Sequence, residues 1–260
     1  MREIKEDILS IFYDSSKRPK ITPRHESAIL VRMEEKYTPS QVQYSLNRLE
    51  KEEILSSIKQ KIEEVGTSKF YFLSIFDKKE TRKKITTKVN NYSKWIQKYS
   101  SNKVTTMLGE HLQDLVKAEL RAQNFEIMSK KEMEKFENKL WSETRHKLDI
   151  KAWHKQKELK IGMEIKNMLS LTPIKEVEIK IKKCKDCDLV PIFACRWMEA
   201  HRKIIEKNNG FLWQFKNQLY PRGQEKFVDV IRKRFKFPVI VCGEIPYNGK
   251  KQLENWLSKY

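Results

Sequence analysis

No apolar run in the 260 residues approaches the ~20 needed to cross a bilayer, so no membrane-spanning helix is expected. The start, MREIKEDILSIF, carries acids and lacks a cleavage pattern; no signal peptide is expected, and a cytoplasmic protein is the default. Cysteine is scarce, with four in the chain. Cys184-Lys-Asp-Cys187 is a CxxC that could open a zinc site or a redox pair, but Cys195 and Cys242 lie in apolar, strand-like runs and make no second CxxC. Buried, inert thiols are expected for those two. For Cys184 and Cys187, zinc, a disulfide and no special chemistry all stay open. His111, His146, His154 and His201 show no metal-ligand spacing, and there is no internal repeat.

The length suits one large or two ordinary domains with a real core. Hydrophobic residues at 39% and charged residues at 34% fit a soluble globular protein rather than a disordered one. The net charge is +19, and its distribution says more than its total. Residues 1–80 hold 15 Lys+Arg against 14 Asp+Glu; residues 81–103 hold seven basic residues and no acid; residues 104–260 hold 32 against 21. A basic excess in the middle and C-terminal part points to a polyanionic partner such as nucleic acid. A lysine-rich or thermophilic surface is the alternative.

Residues 2–14 read as a helix on Ile4, Ile8, Leu9 and Phe12, and a second helix runs from about Arg24 to Lys36. Thr38-Pro39-Ser40-Gln41 is an N-cap with proline at the first helical position, opening a third helix to about Glu52. ILSSIKQKIEE and KFYFLS alternate like two strands around a turn at Val65-Gly66-Thr67-Ser68. Three helices and a hairpin over 1–76 resemble a winged helix-turn-helix domain, a small α+β fold. The resemblance implies a recognition helix that reads duplex DNA through Gln41, Gln43, Asn47 and Arg48. The near-neutral charge of residues 1–80 keeps open a domain of that fold used for protein contact.

Residues 77–103 read as a basic helical linker, and 104–260 as a second domain. There the helix MLGEHLQDLVKAEL, a strand FEIM and a lysine-rich stretch KKEMEKFENK precede two strands near 147–154 and 159–166. Helices near 172–183, 199–208, 224–235 and 249–259 then alternate with strands LVPIFAC, GFLWQF and FPVIVC. Strands separated by helices predict an α/β fold whose sheet is mixed, because of the hairpin.

Chemistry concentrates in Leu159–Asn167, LKIGMEIKN. Leu159, Ile161, Met163 and Ile165 alternate with Lys160, Gly162, Glu164 and Lys166, which reads as a half-buried strand with Glu164 and Lys166 on its polar face. Fourteen residues separate Asp149 from Glu164, so a second carboxylate comes from the neighbouring strand. Glu-x-Lys by itself carries no weight, because it occurs six times. Glu3, Glu34, Glu137 and Glu178 sit in helix-like or loop-like stretches and Glu158 at the hairpin turn. Only Glu164-Ile165-Lys166 lies on an alternating strand beside a strand bearing an acid. Two carboxylates and an ammonium outline a site for metal-dependent hydrolysis. A surface hairpin with cross-strand Lys–carboxylate pairs is the alternative.

A helix containing Glu110, then Asp149, then Glu164-Ile165-Lys166, then a helix and the strand LVPIFACR: in this order the chain resembles the PD-(D/E)xK nuclease superfamily, the restriction-endonuclease-like fold, over about 104–200 and more loosely to 260. Leu148 stands where the signature has proline. Archaeal Holliday junction resolvases and Mrr-like restriction nucleases share the layout. The resemblance implies a Mg²⁺-dependent DNA endonuclease in which Asp149 and Glu164 bind Mg²⁺ (or Mn²⁺). Glu110 acts as a supporting acid, with Asp114 its substitute, and Lys166 orients the attacking water or stabilises charge on phosphorus. Arg145 and Arg196 are candidate phosphate contacts; a capping ion pair serves equally for Arg196. Duplex cleavage by one such site needs two copies, so a homodimer is expected. The alternatives are a non-catalytic DNA-binding or regulatory protein keeping the fold, and an RNA-processing nuclease.

Overall fold

The computed structural model describes residues 2–128 and 147–260. The stretch KKEMEKFENK, Arg145 and His146 lie outside them. The chain divides into two compact units, Met1–Thr105 with Lys226–Pro238, and Thr106–Glu225 with Val239–Tyr260.

In the first unit, helix α1 (Arg2–Ser10), strand β1 (Arg24–His25), helices α2 (Glu26–Met33) and α3 (Pro39–Lys51), and strands β2 (Leu55–Ile62) and β3 (Gly66–Leu73) follow in order. The three strands form an antiparallel sheet in the order β1-β3-β2. The predicted cap is present as a capping box: Thr38 accepts from the Gln41 amide and the Gln41 side chain accepts from the Thr38 amide. Ile4 and Ile8 of α1, Ile29 of α2, and Val42, Leu46 and Leu49 of α3 meet Leu55, Tyr71 and Leu73 in one core. Phe70 and Phe72 point the other way, onto Ile85 and Val89 of helix α4 (Lys79–Ser100). The basic segment read as a linker is thus a 22-residue helix whose apolar side covers the second face of the hairpin. That explains why KFYFL is a nearly unbroken apolar run: β3 is buried on both faces.

A late segment completes this unit. Helix α8 (Glu225–Phe235) places Phe227 against Trp95, and Phe235 against His25, Tyr92 and Phe237. Its Arg234 guanidinium lies over the Trp95 ring at 5.5 Å.

The second unit is mixed α/β, as the alternation of helices and strands predicts. Helix α5 (Asn102–Ala122) precedes strands β4 (Glu126–Ile127), β5 (Ile150–His154) and β6 (Leu159–Lys166). Helix α6 (Ile174–Asp186), strand β7 (Val190–Cys195), helix α7 (Arg202–Lys207) and strand β8 (Phe211–Gln214) follow. These strands make one sheet in chain order, with β4, β5 and β6 antiparallel and β6, β7 and β8 parallel. Strands β9 (Gln218–Tyr220) and β10 (Val239–Val241) pair in parallel, and helix α9 (Tyr247–Leu257) ends the unit. Leu112, Leu115, Val116 and Leu120 of α5 and Leu253, Trp256 and Leu257 of α9 pack on one sheet face. Val177 and Ile181 of α6 and Ile205 of α7 pack on the other, against Phe193 and Leu212. Among the described residues no helix is long and apolar enough to cross a membrane. The four cysteines are free; Cys184 and Cys187 are buried beside Leu148 and Leu189, and burial pushes the Cys184 thiol up to about 12.

Candidate functional site

Strand β6 alternates as its sequence implies, but its polar face is not solvated. Leu159, Ile161 and Met163 enter the core shared with α5 and α9, so Lys160, Gly162, Glu164 and Lys166 face the α6 side. Because β6 is the middle strand of five, α6 covers that side, and Glu164 is only 4% exposed. The expectation of a half-buried strand is corrected here, since period two fixes which residues share a face and not what lies across it. Gly162 is what lets α6 come so close. A Cβ there would stand 2.7 Å from Cys184 Sγ and 2.8 Å from Leu148 Cδ1.

Asp149 lies just before β5, one step beyond the Ile150–Met163 pair, and therefore beside Glu164. Its amide donates to the Met163 carbonyl at 2.9 Å, and its carboxylate Oδ2 accepts from the Ile165 amide at 2.7 Å. From α5, Gln113 Nε2 donates to the Asp149 carbonyl at 3.1 Å. Backbone and side chain of Asp149 are thus fixed from two directions. Burial raises its carboxyl, repulsion by Glu164 raises it further, and the Ile165 amide and the ammoniums of Lys180 and Lys166 oppose both; the result is about 6.

Glu164 meets two ammoniums. Lys166 Nζ is 3.0 Å from Oε1, and Lys180 Nζ, on α6, is 2.5 Å from Oε2 as an ion pair outside hydrogen-bond geometry. Lys166 also reaches Glu176 of α6 at 2.8 Å. Burial pulls the Lys166 ammonium down, but the hydrogen bond to Glu176 and the charge and hydrogen bond of Glu164 outweigh it and carry it up to about 12. Lys166 is therefore a fixed positive charge at neutral pH, not a proton acceptor.

The structure brings Asp149, Glu164 and Lys166 together, as the sequence suggests, and adds Glu176 and Lys180. Sequence reading passed over these two because both lie in an ordinary charged helix, IKEVEIKIKK. Their i,i+4 spacing was the available signal, since it puts both on one side of the helix. Asn167 was also missed. It is buried after Lys166, donates to the Leu108 and Leu219 carbonyls at 2.9 and 2.7 Å, and accepts from the Leu219 amide at 3.0 Å. It ties the end of β6 to α5 and β9.

Other candidates fare differently. Glu110 lies on the exposed side of α5, one turn before Gln113, and Asp114 is exposed and 4.0 Å from Lys117. Arg196 is 1% exposed and donates to the Leu169 carbonyl at 3.3 Å. A role in touching phosphate is corrected accordingly: at the end of a central strand its guanidinium braces the loop after β6. In the first unit, the Gln41 side-chain oxygen is taken by the capping box. Gln43 and Asn47 are neighbours at 3.4 Å on the outer side of α3, and Arg48 pairs with Glu52 at 3.4 Å.

The donor chemistry fits a hard divalent cation. Two carboxylates whose mutual repulsion lifts one of them are held side by side, and the amide on Asp149 Oδ2 leaves Oδ1 for a ligand. Among the described residues no three His, Cys, Asp or Glu side chains are gathered as a metal site. Compared with known protein families, curated proteins and solved structures, the chain matches none.

Proposed function

We propose that this chain is a metal-dependent DNA endonuclease of the PD-(D/E)xK kind, with a winged-helix unit that binds the substrate. The observation that carries the reading is the carboxylate pair Asp149, just before β5, and Glu164, on the adjacent β6, with Lys166 held in the same charge cluster at the end of a central strand of a mixed sheet. A helix on the α5 side and a parallel β6-α6-β7 continuation agree with the order of elements in that superfamily.

Asp149 would hold the cation through Oδ1, with Glu164 beside it adding negative charge; when bound, the cation would acidify a water and offset charge on the scissile phosphate. The Ile165 amide holds the Asp149 carboxylate, and Gln113 holds the backbone carbonyl of the same residue, so the acid is aimed from a fixed main chain. Lys166, kept protonated by Glu164 and Glu176, offers a fixed positive charge to phosphate oxygens. In the first unit, the order α1-β1-α2-α3-β2-β3 and the sheet order β1-β3-β2 support the winged-helix reading. Gln43, Asn47 and exposed Tyr44 on α3, with Lys59 and Lys61 on β2, form the polar and basic surface for a duplex.

A panel of linear, branched and single-stranded DNA and RNA, incubated with Mg²⁺ or Mn²⁺, tests the proposal. Wild-type protein should cut DNA, and Asp149→Ala and Glu164→Ala should abolish cutting while leaving DNA binding intact. A panel left wholly uncut rejects the enzyme; RNA cut in place of DNA moves it to RNA processing.

A further inference from the structure

The charge cluster holds a lysine that hydrolysis does not call for. Lys180 sits one turn beyond Glu176 on α6, its side chain 6% exposed. Its ammonium lies 2.5 Å from Glu164 Oε2 and also donates to the Lys147 carbonyl. Glu164 Oε1 faces the Lys166 ammonium at 3.0 Å. Both oxygens of a buried carboxylate are thus covered from within the protein. Asp149 differs, since its hydrogen bond is from a neutral amide on Oδ2.

An ammonium and a divalent cation cannot share one buried carboxylate oxygen without strong repulsion, because so little water separates them. We infer that Lys180 is the internal counter-ion of this site: its ammonium takes the place beside Glu164 that a second divalent cation would need. The site then admits one cation, bound chiefly through Asp149, and Lys180 sets how tightly it is held. This rests on the reading of the carboxylate pair as a cation site.

Lys180→Met removes the charge and keeps the unbranched stem, and Mn²⁺ is the probe, followed by calorimetry and by loss of its free electron-spin signal. Wild type should bind one Mn²⁺. K180M should bind Mn²⁺ at least about tenfold more tightly or take up a second ion, judged from the repulsion removed. Lys180→Arg should stay within a few-fold of wild type, and adding Glu164→Gln to K180M should cancel the gain. Equal affinity and stoichiometry for wild type and K180M overturn the inference. If K180M unfolds without metal, Mn²⁺ should restore its native circular dichroism; a K180M chain that stays unfolded in millimolar Mn²⁺ overturns the inference as well. Cleavage separates this from the broader proposal. DNA cut by wild type with unaltered Mn²⁺ binding in K180M removes the counter-ion and leaves the nuclease. Tight Mn²⁺ binding by K180M, with no substrate cut by wild type, removes the nuclease and leaves the counter-ion.

Discussion

Asp149 is where stability and chemistry pull in opposite directions. Its folded value of about 6 lies above the ordinary 3.8, so the fold disfavours the ionised form. The cost is present in full above pH 6 and fades as pH falls from 6 towards 4, where the folded protein has taken up the proton. At about 1.4 kcal/mol per unit the full cost approaches ~3 kcal/mol, and the group's remaining solvent contact trims it to roughly 1–2. Asp149→Asn keeps an oxygen for the Ile165 amide and drops the charge. At pH 7.5 it should melt higher than wild type, at pH 4.5 the gain should shrink, and cleavage should fall at least ~100-fold. A lower melting temperature for Asp149→Asn at pH 7.5 contradicts this account of the site. His25 gives the opposite pH dependence. It is buried, caps α2 by accepting from the Ser27 amide at 3.2 Å, and burial holds its ring near 4 against an ordinary 6.5. The neutral ring is favoured in the fold, so its contribution is whole above pH 6.5 and is lost as pH falls from 6.5 to 4. His25→Asn retains a capping oxygen without the titration. Thermal melts of the two proteins should converge over that window, by up to ~3 kcal/mol.

At the scale of elements, legibility tracked how much of the signal is local. The α3 cap was readable as Thr38-Pro39-Ser40-Gln41 because a capping box is made by residues three apart. Strand β6 was readable because its apolar residues strictly alternate. By contrast, β1 and β9 have two and three residues, too few to show a period; β1 exists because the longer β3 offers it a ladder, and β9 because the equally short β10, later in the chain, returns beside it. The cover over Glu164 was also hidden. Nothing in LKIGMEIKN announces that α6 returns across it, although Gly162, the one small residue on that side, is the mark of the close approach. Gly162→Ala should cost about 1–3 kcal/mol and Gly162→Val more, because Cys184 and Leu148 already fill the space. Urea denaturation measures this directly, and a Gly162→Ala protein as stable as wild type shows that α6 can back away. The same displacement should weaken the Lys180–Glu164 contact.

At the scale of the whole molecule, charge is the most general property and the least specific. Six of the seven basic residues in 81–103 lie on α4, whose Lys83 and Lys84 are exposed while Ile85 and Val89 are buried. If the partner is DNA, neutralising about four phosphates predicts affinity falling ~100-fold between 50 and 200 mM salt. Fluorescence anisotropy with a labelled duplex measures the slope, and salt-independent binding argues against a phosphate-led contact. The mixed α/β character, with a sheet of mixed orientation, was legible in the order of helices and strands. The membership of residues 226–238 was not, since it depends on aromatic contacts between parts of the chain far apart in sequence.

That late helix bears on how the protein is made. When the first 105 residues have left the ribosome, the Trp95 and Tyr92 rings and the His25 edge still await Phe227 and Phe235. The first unit is therefore finished only after residues 106–225 of the second unit have been synthesised. A fragment cut at the apparent boundary would reproduce the nascent chain, not the mature unit.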